Sequence, residues 1–195
     1  MIIEENQKEN FRKYANHEAG HYIVARLLGF KTTDIKIIIK NHEGVHDASC
    51  VIRLDSPIEN IKDVVDYCKK RIIILYAGAY SQALENNTID YREFNQALKC
   101  NALSDHEKLW ESLHIIRNIE FPKETLDPEI NLGYANIKSE LLRKSQQLVL
   151  ENKDLILEIG DKLINGLINY DVQFVLSEEQ LNSIPSIKNK FLGNG

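Results

Sequence analysis

The sequence predicts a mainly α-helical fold that carries one small β-hairpin or sheet. Three observations lead there. Apolar residues recur at helical spacing over long stretches, as in Ile58, Ile61, Val65, Cys68 and Ile72. Two runs rich in β-branched residues, 34–40 (DIKIIIK) and 48–54 (ASCVIRL), flank a polar segment containing Gly44, the pattern of a hairpin. Beyond residue 132 the chain reads as helix almost throughout, with two long patterns at 133–151 and 153–169.

Each element has its own signal. The first helix is expected over residues 7–28, with Gly29 at the position after the last turn, where glycine ends helices most easily. The hairpin loop is residues 41–47. Ser56, Pro57 and Glu59 supply a cap, a first-turn proline and a capping-box acid for the second helix, which runs through LYAGAYSQAL to Leu84. Its small residues Ala77, Gly78 and Ala79 would let another backbone come close. A third helix starts near Asp90, and after a break at 100–103 the pair Ser104–Glu107 forms a second capping box, opening a helix to about Arg117. The two prolines within 121–128 mark a linker, and a short capped helix begins at Ser177. Leu141, Leu142, Leu148, Val149, Leu155, Ile156 and Ile159 are read as core positions of the long C-terminal helices, faces that could also pack against a second copy. The organisation is a core over 1–120 and a helical region over 121–195 packing on it, one domain overall.

Composition narrows the function. With 195 residues, 43% hydrophobic, the chain can bury a core. Its formal net charge of −5 gives no footprint for nucleic acid and no attraction to anionic lipid. The most apolar stretch, 72–79, is too short to span a bilayer, so no membrane segment is expected. The N-terminus lacks the pattern of a secretory signal. Three widely spaced cysteines, Cys50, Cys68 and Cys100, form no CxxC pair, which fits a reducing cytoplasmic setting. No glycine-rich GxxxxGK[ST] loop is present, so no ATPase is expected in this chain.

The chemistry concentrates in His17-Glu18-Ala19-Gly20-His21. Residues four apart share one face of a helix, so both imidazoles can reach one zinc ion. Glu18 projects beside them, where a carboxylate can take a proton from a water that the metal activates. A short motif of this kind also arises as an ordinary solvent-facing helix turn, but here it lies inside a strong helical pattern. Gly20 costs about 1 kcal/mol relative to alanine in a helix, which a close helix–helix contact would explain without any catalysis.

A zinc hydrolase needs a third protein ligand, and spacing alone leaves several choices. The metzincin pattern requires glycine at position 24 and histidine at position 27; Val24 and Leu27 exclude it. Glu59 with Asp63 offers a helical spacing, although Glu59 reads better as a cap. His42 and His46 fall in the hairpin loop. Asp105 sits in the first turn of a capped helix, where the helix dipole favours a carboxylate whether or not it binds metal.

HEAGHYIVARLLGF resembles the start of the peptidase domain of the FtsH family of zinc peptidases. LYAGAYSQAL is similar to that family's small-residue helix, and NALSDHEKLWESL to the segment that carries its third ligand. LVLENKDLILEIGDKLI followed by LSEEQL resembles its closing helical hairpin. The resemblance covers most of the chain. It implies a zincin-like, mainly helical metallopeptidase with His17, His21 and Asp105 on Zn2+ and Glu18 as catalytic base. Family members carry a hexameric ATPase and membrane helices; with neither in evidence, the resemblance implies a free-standing peptidase domain. The departures at Lys99-Cys100-Asn101, Ser104 and Ala79 touch none of these ligands.

The expectation is therefore a zinc endopeptidase acting on flexible protein or peptide segments laid along the hairpin edge, with a homo-oligomer open. A zinc-binding regulatory or interaction module with little turnover is the alternative, and hydrolysis of a non-peptide bond is a weaker third reading. No residue stands out as an oxyanion donor; Tyr22 and His106 are the nearest in sequence.

Overall fold

The computed structural model describes residues 1–86, 88–101, 103–123 and 132–193. It is mainly helical, with a three-stranded antiparallel sheet.

Helix α1 (Glu5–Leu27) starts from a reciprocal box in which the Glu4 backbone N–H donates to Gln7 Oε1 at 2.9 Å. It ends as expected at Gly29, whose φ of 86° only glycine adopts without strain. The Phe30 N–H reaches the Ala25 carbonyl at 2.9 Å and the Gly29 N–H reaches Arg26 at 3.1 Å, satisfying carbonyls that the helix end leaves open. Strands β1 (Lys31–Ile39) and β2 (His46–Arg53) form the hairpin. Its loop is tied by Asn41, whose Oδ1 accepts from the Glu43 and Val45 N–H groups, each at 3.1 Å. Ile35, Ile37 and Ile39 of β1 are fully buried.

α2 (Ile61–Gln82) begins later than the sequence suggests. The cap is Asn60, not Ser56, and the box acid is Asp63, not Glu59. Asn60 Oδ1 accepts from Lys62 N at 2.9 Å, and Asp63 Oδ2 accepts from Asn60 N at 3.1 Å. The physical reason is a second box at equivalent spacing, in which Asp63 Oδ2 accepts from Glu59 N, Asn60 N and Asn60 Nδ2.

β3 (Leu84–Glu85) and β4 (Thr88–Ile89) pair into a small hairpin where the sequence suggested only a stop. α3 (Tyr91–Gln96) starts beside Asp90, as expected, and Asp90 is its cap. A π-helical turn, Ala97–Asn101, leads towards α4 (Leu103–Glu120). The capping box expected from Ser104 involves a side chain outside the described residues, as does most of the 121–128 linker. α5 (Leu132–Glu151) and α6 (Lys153–Gly166) form the long C-terminal pair. β5 (Phe174–Leu176) then joins the free side of β1, giving the order β2-β1-β5, and the chain closes with α7 (Glu178–Ser183), capped by Ser177, and α8 (Pro185–Phe191).

α1 is the central element. It packs against α2, α6 and both strands of the hairpin, while α2 also meets α4 and α5. Residues 15–25 of α1 are buried without interruption, so the HExxH turn lies inside the molecule rather than on a solvent face. Gly20 faces the Ser81 side chain and the Ala77 carbonyl; an added Cβ would stand 2.7 Å from that carbonyl. The close helix contact expected of Gly20 is thus the α1–α2 crossing. Of the expected core positions, Leu141, Val149, Ile156 and Ile159 are buried, while Leu142, Leu148 and Leu155 are half-buried against them. No helix among the described residues is long and apolar enough to cross a membrane.

Candidate metal centre

The α1–α2 crossing and the start of α4 bring three ligand-type side chains together. His17 and His21 stand one turn apart on α1, and Asp105 comes from the first turn of α4. Asp105 Oδ2 lies 2.9 Å from His21 Nε2 and 3.4 Å from His17 Nε2. One ligand atom from each residue falls within 4.8 Å of the others, the one such group of histidine, cysteine and acid among the described residues. A tetrahedral zinc site with bonds of about 2.0–2.1 Å has ligand–ligand edges of about 3.4 Å. Of the two edges that Asp105 makes, the 3.4 Å one already matches and the 2.9 Å one would open by about half an ångström.

The remaining ring nitrogens point to the same conclusion. His21 Nδ1 lies 2.8 Å from the Ile74 carbonyl, an acceptor, so the proton of the neutral ring belongs there. His17 Nδ1 lies 3.1 Å from Gln82 Oε1. The Gln82 amide is oriented by donating from Nε2 to Glu93 Oε1 at 2.8 Å, and Lys13 Nζ approaches the same oxygen at 3.3 Å. Both Nε2 atoms therefore turn lone pairs toward a carboxylate oxygen. Acceptors converging on one point require a cation or a proton between them, and the residues present fit a divalent metal. Such outer partners fix the tautomer and aim of a metal-binding imidazole.

Space for this arrangement comes from Gly78. A Cβ there would stand 2.5 Å from His21 Nε2 and 2.6 Å from His17 Nε2. Burial opposes charging of either partner of the His21–Asp105 pair, but the pair overcomes it. The charges of the histidines and their hydrogen bonds hold the Asp105 carboxyl far below the usual carboxylate range. The Asp105 charge and hydrogen bond, with the Glu18 charge behind them, raise His21 above its ordinary value.

Glu18 is 8% exposed and makes no hydrogen bond or ion pair among the described residues. It opens, with the triad, onto a cleft of about 450 Å³ walled by α1, β2, α2 and α4. The outer edge of β2 has no strand beside it among the described residues.

All four residues singled out from the sequence, His17, Glu18, His21 and Asp105, are thus brought together. The other candidates are not. Asp63 is occupied as the α2 cap, Glu59 is exposed, and His42 is exposed in the hairpin loop. His46 does line the cleft, stacked on Tyr14 with ring centroids 3.6 Å apart, but it is not part of the ligand group. Tyr22 OH accepts from Arg26 in the core, and His106 Nε2 accepts from Trp110 at 2.8 Å; neither lines the cleft. Sequence reasoning missed Gln82, Glu93 and Arg71. The spacing of positions 71, 75, 78 and 82 on one helical stripe was the signal available. No protein-family model matches the chain, and no curated protein is detectably similar to it.

Proposed function

We propose that the protein is a zinc-dependent endopeptidase with His17, His21 and Asp105 as metal ligands and Glu18 as general base. The observation that carries this reading is the convergence of the three ligand atoms within 4.8 Å, with the unpaired Glu18 carboxylate in the same cleft. The resemblance of HEAGH and SDHEKL to the FtsH peptidase pattern supports it.

A zinc ion held by these residues would supply Lewis acidity, polarising a carbonyl and acidifying a water. The chain's own groups supply the rest. Glu18 takes a proton from the attacking water and returns it to the leaving amine. Gln82 and the Ile74 carbonyl hold the imidazoles in the donor tautomer. The free edge of β2 offers backbone N–H and C=O groups to an extended peptide, which would enter as an added strand. That mode calls for flexible segments, so casein-like chains are expected to be cut and tightly folded proteins spared.

The test is cleavage of casein by wild type and by Glu18→Gln at matched zinc loading. Removing a general base costs about 10²–10⁴ in rate. Loss of cleavage on that scale with zinc retained supports the assignment. Equal cleavage by both proteins refutes the role of Glu18. Absence of cleavage by both, with about one zinc per chain, favours the metal-binding regulatory module instead.

A further inference from the structure

The α2 stripe that faces the cleft consists of Arg71, Leu75, Gly78 and Gln82. Gly78 makes room for the imidazoles, Gln82 holds His17, and Leu75 is an apolar wall. Arg71 has no such duty. Its guanidinium carries five N–H donors, and the side chain is partly buried in the cleft wall. Yet it makes no hydrogen bond or ion pair among the described residues. A cation removed from part of its water and given no acceptor leaves its binding capacity open.

The cleft's own acids do not fill that capacity. Asp47 pairs with Lys40 at 2.5 Å, Asp105 faces the histidines, and Glu18 lies beyond ion-pair distance of Arg71. The β2 wall opposite offers Cys50, which burial and then the Glu18 charge keep protonated while the Arg71 charge pulls the other way. Arg71 lines the same cleft as Ala48, Ser49, Cys50 and Ile52 of β2, so a peptide laid along that strand would pass the guanidinium.

We propose that Arg71 forms a carboxylate-binding subsite, selecting peptides with an acidic side chain or a free C-terminus a fixed distance from the scissile bond. The proposal rests on the peptidase reading for the words "scissile bond" alone. Seven residues of α2 separate Arg71 from Gly78, about 10 Å along the axis. An extended peptide rises about 3.3 Å per residue. The carboxylate therefore belongs about three or four residues from the cut.

The test uses zinc-loaded Glu18→Gln protein and amidated Gly/Ser/Ala octapeptides labelled with a fluorophore. One set carries a single Glu walked through each position, one peptide is neutral with a free C-terminal carboxylate, and one is neutral and amidated. One Glu position, or the free C-terminus, is expected to bind about 10- to 100-fold tighter than the neutral amide, the scale of a hydrogen bond to a charged group. Whichever peptide gains identifies the source of the carboxylate. Adding Arg71→Ala should abolish the gain and leave the neutral peptide unchanged. Arg71→Lys should keep part of the gain, and Arg71→Glu should transfer it to the peptide with Lys at the same position. Equal binding of all peptides, or a gain that survives Arg71→Ala, overturns the proposal. If Arg71-dependent binding is seen while the Glu18 protein cuts nothing, the peptidase reading fails and the subsite stands. Cleavage indifferent to carboxylates has the opposite meaning.

Discussion

Helix α1 is held between two neighbours, and each contact closes on a glycine. Against α2, Gly78 lies beneath His17 and His21; against α6, Gly160 lies beneath the Asn16 side chain. A Cβ would collide in both places. The polar atoms behave differently. The two histidines give their Nδ1 atoms to fixed acceptors and aim their Nε2 atoms at Asp105. Asn16 Oδ1 is buried with no hydrogen-bond partner among the described residues. Close packing sets the distance between helices at both crossings, but only one has polar groups converging from a third element. That convergence, and not the glycine, distinguishes a site from a contact.

The largest expected effect comes from removing the third element's contribution. Asp105→Ala should weaken zinc binding by more than the roughly 10–100-fold that loss of an outer partner costs, measured by competition with a chelator. Binding unchanged by this variant would erase the distinction between the two crossings. Gly78→Ala comes next. Helix propensity alone would make it stabilising by about 1 kcal/mol, whereas a methyl group among the imidazoles should lower both the melting temperature and the zinc content. A more stable, fully loaded variant would contradict the packing described. Gln82→Ala should lower zinc affinity about 10- to 100-fold by freeing His17 to rotate. A loss confined to thermal stability would assign Gln82 to packing alone.

A smaller effect follows from pH. His21 in the metal-free protein has a folded pKa above its ordinary 6.5. The stability tied to its proton is fully present below pH 6.5 and is lost as pH rises through the folded value. Asp105 has a folded pKa depressed below its ordinary 3.8, so its contribution is present above that pH and fades only in stronger acid. Metal-free protein should therefore lose stability as pH rises above 6.5 through the folded value of His21. A metal ion takes the proton's place, so the rise in melting temperature on adding zinc should grow as pH is raised from below 6.5 to above the folded value of His21; an equal or smaller rise would break the assignment. Gly160→Ala completes the series with the smallest effect on the centre: lower thermal stability and unchanged zinc affinity. Altered affinity there would show that the two crossings are coupled.

Much of this was legible in the sequence. The histidine spacing, the Gly29 stop and the β-branched runs are local signals, and each element appears where they put it. Two kinds of feature were not legible. Asn60–Asp63 and Ser56–Glu59 have the same box spacing, and the sequence pattern does not say which of the two closes. β5 is three residues long and owes its existence to the unpaired side of β1, a partner more than a hundred residues away. For the site, His17, Glu18 and His21 follow from helix geometry, whereas local evidence for Asp105 was no better than for any N-terminal helix acid. Gln82 and Glu93 support His17 from other elements; Gln82 shares a helical stripe with Arg71, Leu75 and Gly78, but nothing local points from that stripe to His17, and Glu93 carries no signal at all.

Asp105 and His21 stand 84 positions apart in the chain. A metal ion joining them would act as a removable cross-link, closing a loop that holds the hairpin, α2 and α3. Closing a loop of that length costs an unfolded chain only slightly more than closing a short one, about 0.6 kcal/mol for each doubling. The ion would thus restrain nearly half the protein at once. Its supply would govern how long the molecule survives proteolysis, even in a variant that has lost Glu18 and cuts nothing.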